Sequence, residues 1–431
     1  MSHTRTIKVD YLARVEGEGA LHLVIDQGQV SQAKLNIFEP PRFFEAFLRG
    51  RRYEEASDIT ARICGICPVA YQMSAVHALE SLCQAQVPAA VKSLRRLLYC
   101  GEWIESHVLH ITMLHAPDFL GYDDAISMAK DHKAAVERGL KLKKIGNNII
   151  RVVGGREIHP INVKIGGFYK APSATAMAEL AEQLSWGRQA ALELIEWVAG
   201  FKFIDFEADY EFVSLVHPQD YPLNEGMIQC RNGLKLGADD YEQHFSEQHV
   251  AHSNALQSLL DNDKVYFVGP LARYFHNFEK LPKICQDAAI AANLGKQCFN
   301  PFKSIIVRAI EVLFAFDQAL KIANSYQTPD ISAIPVPPIA GTGRAATEAP
   351  RGLLWHRYDL DAQGIITNAN IVPPTSQNQR IIERDIAEVA QQHTQSSDLE
   401  LQHCLEQAIR NYDPCISCAT HFLDLTVERI A

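Results

Sequence analysis

Residues 62–71 read Arg62-Ile63-Cys64-Gly65-Ile66-Cys67-Pro68-Val69-Ala70-Tyr71, and this stretch decides how the rest of the chain is organised. Two cysteines with two residues between them present thiols from neighbouring turns, an arrangement suited to a soft metal ion. Pro68 follows at once and fits a helix start, because proline lacks an N–H that the first turn leaves unpaired anyway. A second such pair stands far along the chain, in Asp413-Pro414-Cys415-Ile416-Ser417-Cys418-Ala419-Thr420-His421, 351 positions from the first. Spacing by itself leaves three readings open. Structural zinc is the plainest, although zinc ribbons close loops of about 15 to 20 residues. A thioredoxin-like redox pair needs a βαβ context that neither segment has. An iron-sulfur cluster on four thiolates is chemically allowed but not favoured by the spacing.

Outward from these motifs, periodicity supplies the elements. Residues 6–38 alternate polar and apolar on both sides of Asp26-Gln27-Gly28-Gln29, which predicts a β-hairpin or meander. From Pro41 the period becomes helical: Phe43, Phe44, Phe47 and Leu48 form one apolar face, and amphipathic stretches follow at about 68–86, 88–116, 124–144 and 173–200. Residues 203–275 read as a looser mixed insertion with short apolar runs at Phe212 to Val216 and Val265 to Val268. A strong helix spans Pro301 to Tyr326, and Pro335-Val336-Pro337-Pro338 breaks it. After a loop, Leu353 to Tyr358 and Gly364 to Val372 read as paired strands, and helices follow at about 377–394 and 397–411. The fold class is therefore mainly α with peripheral β, a central bundle of long helices with small antiparallel sheets. We read it as one catalytic domain over 1–431: a small sheet (1–40), a helical bundle (41–202), the mixed insertion (203–300), and a helix, strands and the second metal motif (301–421), with 422–431 as an extension.

Composition excludes several function classes. With 431 residues, 47% hydrophobic, the chain buries a large core without disulfide staples, so its ten cysteines point to metal binding or plain burial. The net charge of −10 carries no basic stripe, which argues against nucleic acid. No run approaches the roughly 18 uncharged apolar residues of a membrane span, and the first residues lack a signal-peptide pattern, so the expectation is a cytoplasmic protein without direct membrane insertion. Gly341-Thr342-Gly343-Arg344-Ala345-Ala346 fits GxGxxA, but it follows a proline-rich loop and leads to Pro350, so no nucleotide is expected on this chain. His107 and His110, at helical spacing, read as packed histidines for want of a third ligand.

The residues flanking the two cysteine pairs carry a resemblance. Together they resemble the two signature motifs of nickel-iron hydrogenase large subunits, and Arg14-Val15-Glu16-Gly17 and Glu348-Ala349-Pro350-Arg351-Gly352 extend the likeness over the whole chain. Gly65-Ile66-Cys67-Pro68-Val69-Ala70-Tyr71 looks most like the soluble NADP-linked, sulfhydrogenase-type branch, at its α subunit. The resemblance implies reversible heterolytic cleavage of hydrogen at a nickel-iron site. Cys64, Cys67, Cys415 and Cys418 would bind nickel, with Cys67 and Cys418 bridging to an iron that carries one carbon monoxide and two cyanides. Glu16 would pass protons, and Arg351 would hang its guanidinium above the metals, held by Asp118 and Asp413 through charge-assisted bonds. Pro350 and Thr375 would line the iron ligands. Glu45, the carbonyl of Asn370 and His421 would bind a magnesium ion. The implied partners are a small subunit with iron-sulfur clusters, flavin and NADP(H) diaphorase subunits, and a maturation endopeptidase that removes 422–431 after His421, a segment whose Phe422 to Val427 reads as a strand.

Three departures accompany the likeness. Tyr71 stands where the family often has histidine, and Pro374 where relatives offer a hydroxyl and an N–H, a role Thr375 can take over. Residues 422–431 follow the histidine at which large subunits usually end. The competing readings are a hydrogen sensor on the same site, a complex-I-like electron-transfer subunit that has lost the metal, and a zinc-stabilised scaffold; retention of all four cysteines disfavours the second.

Overall fold

The computed structural model describes residues 4–421. Strands β1 (Thr4–Val9), β2 (Gly19–Asp26) and β3 (Gln29–Ile37) form an antiparallel meander. Its register sets Ile7 opposite Leu23 and Leu21 opposite Leu35, which gathers the alternating apolar side chains on one buried face. The β2–β3 turn is tight because Gln27 and Gly28 both take positive φ, 50° and 79°, the hand that matches strand twist.

Helices follow. They are α1 (Phe44–Leu48), α2 (Pro68–Leu82), α3 (Ala89–Leu109), α4 (Lys133–Gly154), α5 (Ala174–Ala199), α6 (Pro270–Asn277) and α7 (Ser304–Asn324). Helices α3, α4, α5 and α7 pack side by side as the central bundle. Along α7, Ile305, Ile306, Val307, Ala309 and Ile310 are all buried, so its apolar residues face every direction, as in a helix enclosed by others. Close helix crossing depends on glycine: a Cβ on Gly146 of α4 would lie 2.8 Å from the Glu105 nitrogen and the Gly101 carbonyl of α3. Helix α3 continues into a π-helical turn, His110–His115.

Between α5 and α7 lies small sheet structure. The first of these strands are β4 (Phe212–Val216), β5 (Met227–Cys230) and β6 (Lys235–Leu236). They are followed by the hairpin β7 (Phe245–Val250) with β8 (Ser253–Leu260), and by β9 (Phe267–Val268). The sheet order β9-β4-β5-β6 contains one parallel pair, β9 with β4. A last meander, β10 (Gly341–Ala349), β11 (Gly352–Leu360) and β12 (Ile366–Val372), leads to α8 (Pro374–Gln392), α9 (Asp398–Arg410) and the single turn α10 (Ile416–Ala419). No helix of the described residues is long and apolar enough to cross a membrane.

Three expectations shift. The helix read at 124–144 is displaced: Asp124 caps only a short turn, Ala125–Met128, and α4 runs on to Gly155, whose φ of 83° ends it. Residues 341–349, read as loop, are strand β10. Gly343 permits it, since a Cβ there would stand 2.2 Å from the Ala78 carbonyl of α2. Phe47, assigned to an apolar face, is exposed, because α1 is too short to bury both sides. The strand and processing site read at 422–431 lie outside the described residues.

Candidate metal centre

The two cysteine pairs meet. The four sulfurs of Cys64, Cys67, Cys415 and Cys418 lie within 4.8 Å of one another, all buried. Cys64 Sγ is 3.5 Å from Cys415 Sγ, and Cys67 Sγ is 3.8 Å from Cys418 Sγ, so each pair contributes to both contacts.

Local structure places each sulfur. Cys67 stands at the head of α2 with Pro68 in its first turn. The backbone N–H groups of Ile66 and Cys67 point at Cys64 Sγ from 3.3 and 3.2 Å. The N–H groups of Val69 and Ala70 donate to the Glu102 carboxylate of α3 at 2.6 and 3.0 Å, which caps α2 from inside the core. In the second pair, Asp413 takes a left-handed φ of 51° before Pro414, a conformation aspartate tolerates and proline's preference against αR permits. Cys415 N donates to Thr375 Oγ1 at 2.9 Å, and Ile416 N donates to the Glu16 carbonyl at 2.9 Å, pairing Glu16 with Cys415 as a parallel bridge. Arg42 fastens both segments at once, its Nη2 donating to the carbonyls of Ile63 (2.8 Å) and Ser417.

The electrostatics are those of a cation site. Burial raises the Cys64 thiol, but hydrogen bonds with Cys415, Cys418 and Cys67 and the Arg351 charge together bring it well below the usual thiol range, while Cys67, Cys415 and Cys418 are held up. Four adjacent thiolates cannot ionise together without a compensating positive charge, which a bound soft metal ion provides. Arg351 supplies fixed charge: Nε donates to the Asp413 carbonyl (2.6 Å) and Nη2 to its carboxylate (3.1 Å). Its Nη1 is buried with no hydrogen-bond partner among the described residues. Despite burial, the facing Asp413, Cys415 and Cys67 keep this guanidinium charged. The Glu16 carboxylate accepts from Ser417 N at 3.1 Å; burial and the nearby Cys64 raise its pKa, so it holds a proton more readily than an exposed glutamate.

Asp118 is a correction. It was expected on Arg351, but its carboxylate takes Arg410 through two bonds, 2.7 and 2.8 Å, and Arg14 at 2.5 Å. Its helical turn faces α9 and the N-terminal segment, whose arginines reach it first. Pro350 contributes its carbonyl to a buried arginine, Arg273 Nη2, at 2.8 Å. Thr375 binds the backbone of Cys415, and Pro374 opens α8.

Near Cys418, Glu45 Oε1 accepts from Ile371 N (2.7 Å) and from the Asn370 side-chain amide (3.3 Å), while His421 Nδ1 meets the Cys418 carbonyl. The buried His421 ring also meets the Ile371 backbone, and burial lowers it to about 4, leaving a neutral imidazole able to ligate. The Tyr71 ring stands 6.0 Å from His421; burial and the Cys418 and Cys67 sulfurs push its phenol up, so it stays protonated. His107 pairs with Glu311 (2.9 Å) and His110 with the Arg410 carbonyl (2.8 Å), both buried as packed helix histidines. The other six cysteines are free, and all but the partly exposed Cys83 are buried.

Sequence reasoning missed Arg42, Glu102 and Arg410. Only the helical spacing of Glu102 and Glu105 inside an apolar stretch hinted at buried carboxylates.

Comparison with known proteins agrees with this geometry. A family model described as nickel-dependent hydrogenase matches residues 42–141 and 261–421. The chain is 34% identical over 429 residues to sulfhydrogenase 2 subunit alpha of Pyrococcus furiosus, covering 97% of this chain and 100% of that one. It is 28% identical over 478 residues to the NAD-reducing hydrogenase HoxS subunit beta of Cupriavidus necator, covering 97% and 95%. Among solved structures, a NAD+-reducing NiFe-hydrogenase in the H2-reduced state superposes with a TM-score of 0.89 at 26% identity, covering 97% of this chain and 99% of the other.

Proposed function

Since the chain belongs to the nickel-dependent hydrogenase family, as a large subunit, we propose that it cleaves and forms hydrogen reversibly and heterolytically at a nickel-iron site held by Cys64, Cys67, Cys415 and Cys418. One observation carries this reading: four buried sulfurs from two remote segments lie within 4.8 Å, with the Glu16 carboxyl and the Arg351 guanidinium beside them. The donor set fits nickel held by four thiolates, and Cys67 and Cys418 would also hold the iron, with its one carbon monoxide and two cyanides, that the family reading adds. When bound, such a centre supplies the electron-pair acceptor that polarises hydrogen.

The chain's own residues would do the rest. When hydrogen splits, its electron pair would pass to the bound centre and Cys64 or Cys415 would take the proton; Glu16, whose pKa burial raises, would receive that proton and move it outward. Arg351 holds fixed positive charge toward the sulfurs, with Asp413 setting its direction. Thr375 and Pro350 orient the backbone on either side. Glu45, Asn370 and His421 would hold a magnesium ion, with the buried, neutral His421 ring as the supporting observation. Electrons would leave through a small subunit with iron-sulfur clusters to a flavin subunit that meets NADP(H). The supporting observation is that one relative is a sulfhydrogenase α subunit and another is NAD-reducing. A maturation endopeptidase would cut after His421, and the complex would work in the cytoplasm.

Metal analysis of Cys64→Ala, Cys415→Ala and Cys285→Ala tests the reading. The first two are expected to lose nickel, while Cys285→Ala keeps nickel and iron in equal amounts. Zinc alone in the wild-type protein, or nickel retained by Cys64→Ala, would reject it. Hydrogen-dependent dye reduction at high turnover separates an enzyme from a hydrogen sensor.

A further inference from the structure

We propose that Arg273, on α6, is a positioning residue for the proposed hydrogen chemistry, holding the backbone that aims Arg351 at the four sulfurs; the inference rests on the function proposed above. All five N–H donors of Arg273 are used. Nε and Nη2 bind the two oxygens of Glu311 at 2.8 and 2.7 Å, which fixes the guanidinium plane. Nη1 binds the Glu348 carboxylate (3.0 Å) and the Ala349 carbonyl (2.9 Å), and Nη2 also binds the Pro350 carbonyl (2.8 Å). The last two carbonyls belong to the peptides immediately before Arg351. On the far side, the Arg351 carbonyl packs so closely on Gly269 that a Cβ there would lie 2.8 Å from it. The Arg351 peptide is thus gripped on both flanks by the first turn of α6 and the residue before it.

The anchor itself is rigid. Glu311, on α7, also accepts from Tyr221 Oη (2.7 Å) and meets His107 Nε2 (2.9 Å), and the Arg273 guanidinium lies 4.3 Å from the Trp103 ring centre. Burying so many polar groups is costly unless every donor is matched, and here each N–H of Arg273 is. A planar five-donor fork meets this geometry, whereas a lysine ammonium cannot bind two carboxylates and two carbonyls in one plane.

A double-mutant cycle tests this. Arg273→Lys is expected to keep nickel content but to lower the melting temperature, because it leaves buried acceptors unmatched, and to slow hydrogen–deuterium exchange by about 100-fold, the size of loss that follows a small misplacement of a reacting geometry. In an Arg351→Lys background the same change should cost less than about twofold, because the residue through which Arg273 acts is already gone. The nickel EPR signal gives a second readout: Arg273→Lys should reproduce the shift caused by Arg351→Lys. Glu348→Gln, which keeps the acceptor for Leu215 N but disturbs Nη1, should behave as Arg273→Lys and serves if the latter does not fold. Losses that multiply across the cycle, an unchanged nickel spectrum, or loss of nickel in both variants would each overturn the proposal. A nickel-loaded wild-type protein without exchange activity would instead reject the hydrogenase reading.

Discussion

Glu16 shows how much a single residue owes to its surroundings. In the sequence it stands two residues from Glu18 with nothing but a motif to separate them. In the fold, its backbone pairs with Cys415 and its carboxylate sits under burial and beside Cys64, which raise its pKa, while Ser417 N holds it in place. Glu16→Gln preserves shape and the Ser417 contact but removes the titrating proton. Nickel content should therefore stay at the wild-type level while hydrogen–deuterium exchange falls by about 100-fold or more, the usual worth of a positioned acid or base. Exchange at the normal rate would place the proton route elsewhere. Asp118 teaches the converse: its pairing with Arg410, 292 positions away, follows from which arginine the fold delivers, and no local pattern carries that information.

Among the elements, packing distance decides. Helices α3 and α4 touch backbone to backbone at Gly101 and Gly146, so Gly146→Ala forces a Cβ to within 2.8 Å of backbone atoms that cannot swing aside. We expect a loss of about 1–3 kcal/mol, read as a lower midpoint in chemical denaturation; an unchanged midpoint would mean the bundle has slack. Helix α8 carries a different device. Asp385 accepts from Tyr210 and Tyr412, each at 2.6 Å, tying α8 to the segment before Asp413, and burial raises its pKa from 3.8 to about 6. A carboxyl raised on folding favours the native state when protonated, so its contribution is complete below about pH 4 and is lost as pH rises through about 6. The melting temperature of wild type relative to Asp385→Asn should accordingly fall between pH 4 and pH 7. A difference flat across that range would contradict the assignment.

At the scale of the whole molecule, the candidate metal site is a clasp between two remote segments. Cys64 and Cys415 lie 351 positions apart, and Glu16 and Arg42 from the N-terminal tenth grip the same C-terminal turn. An ion that binds only where these segments meet stabilises the folded state by mass action, about 4 kcal/mol at a thousandfold excess over its dissociation constant. Nickel-loaded protein should melt several degrees above the nickel-free form at one scan rate, with slower amide exchange at Ile416, whose N–H bonds the Glu16 carbonyl. Equal melting temperatures with and without nickel would show that the clasp is closed by protein contacts alone.

The sequence by itself determined the class of fold, because apolar residues at periods near 3.6 and 2 commit each stretch to helix or strand, and because proline, glycine and Asp-Gln-Gly-Gln mark the breaks. It also singled out the four cysteines, though only because the residues flanking the two pairs resemble the nickel-iron hydrogenase signatures; spacing alone left zinc, a redox pair and an iron-sulfur cluster open. It misplaced the start of α4 and lost β10, where the decisive contact, Gly343 on the Ala78 carbonyl, lies outside the local window. What tertiary structure alone decided is which other groups the buried charges meet: Asp118 with Arg410 rather than Arg351, Arg42 across both cysteine pairs, Arg273 beneath the Arg351 peptide. Periodicity records which face of an element is buried, whereas a buried ion pair depends on the distance and angle between two elements, and those are set only when the whole core closes.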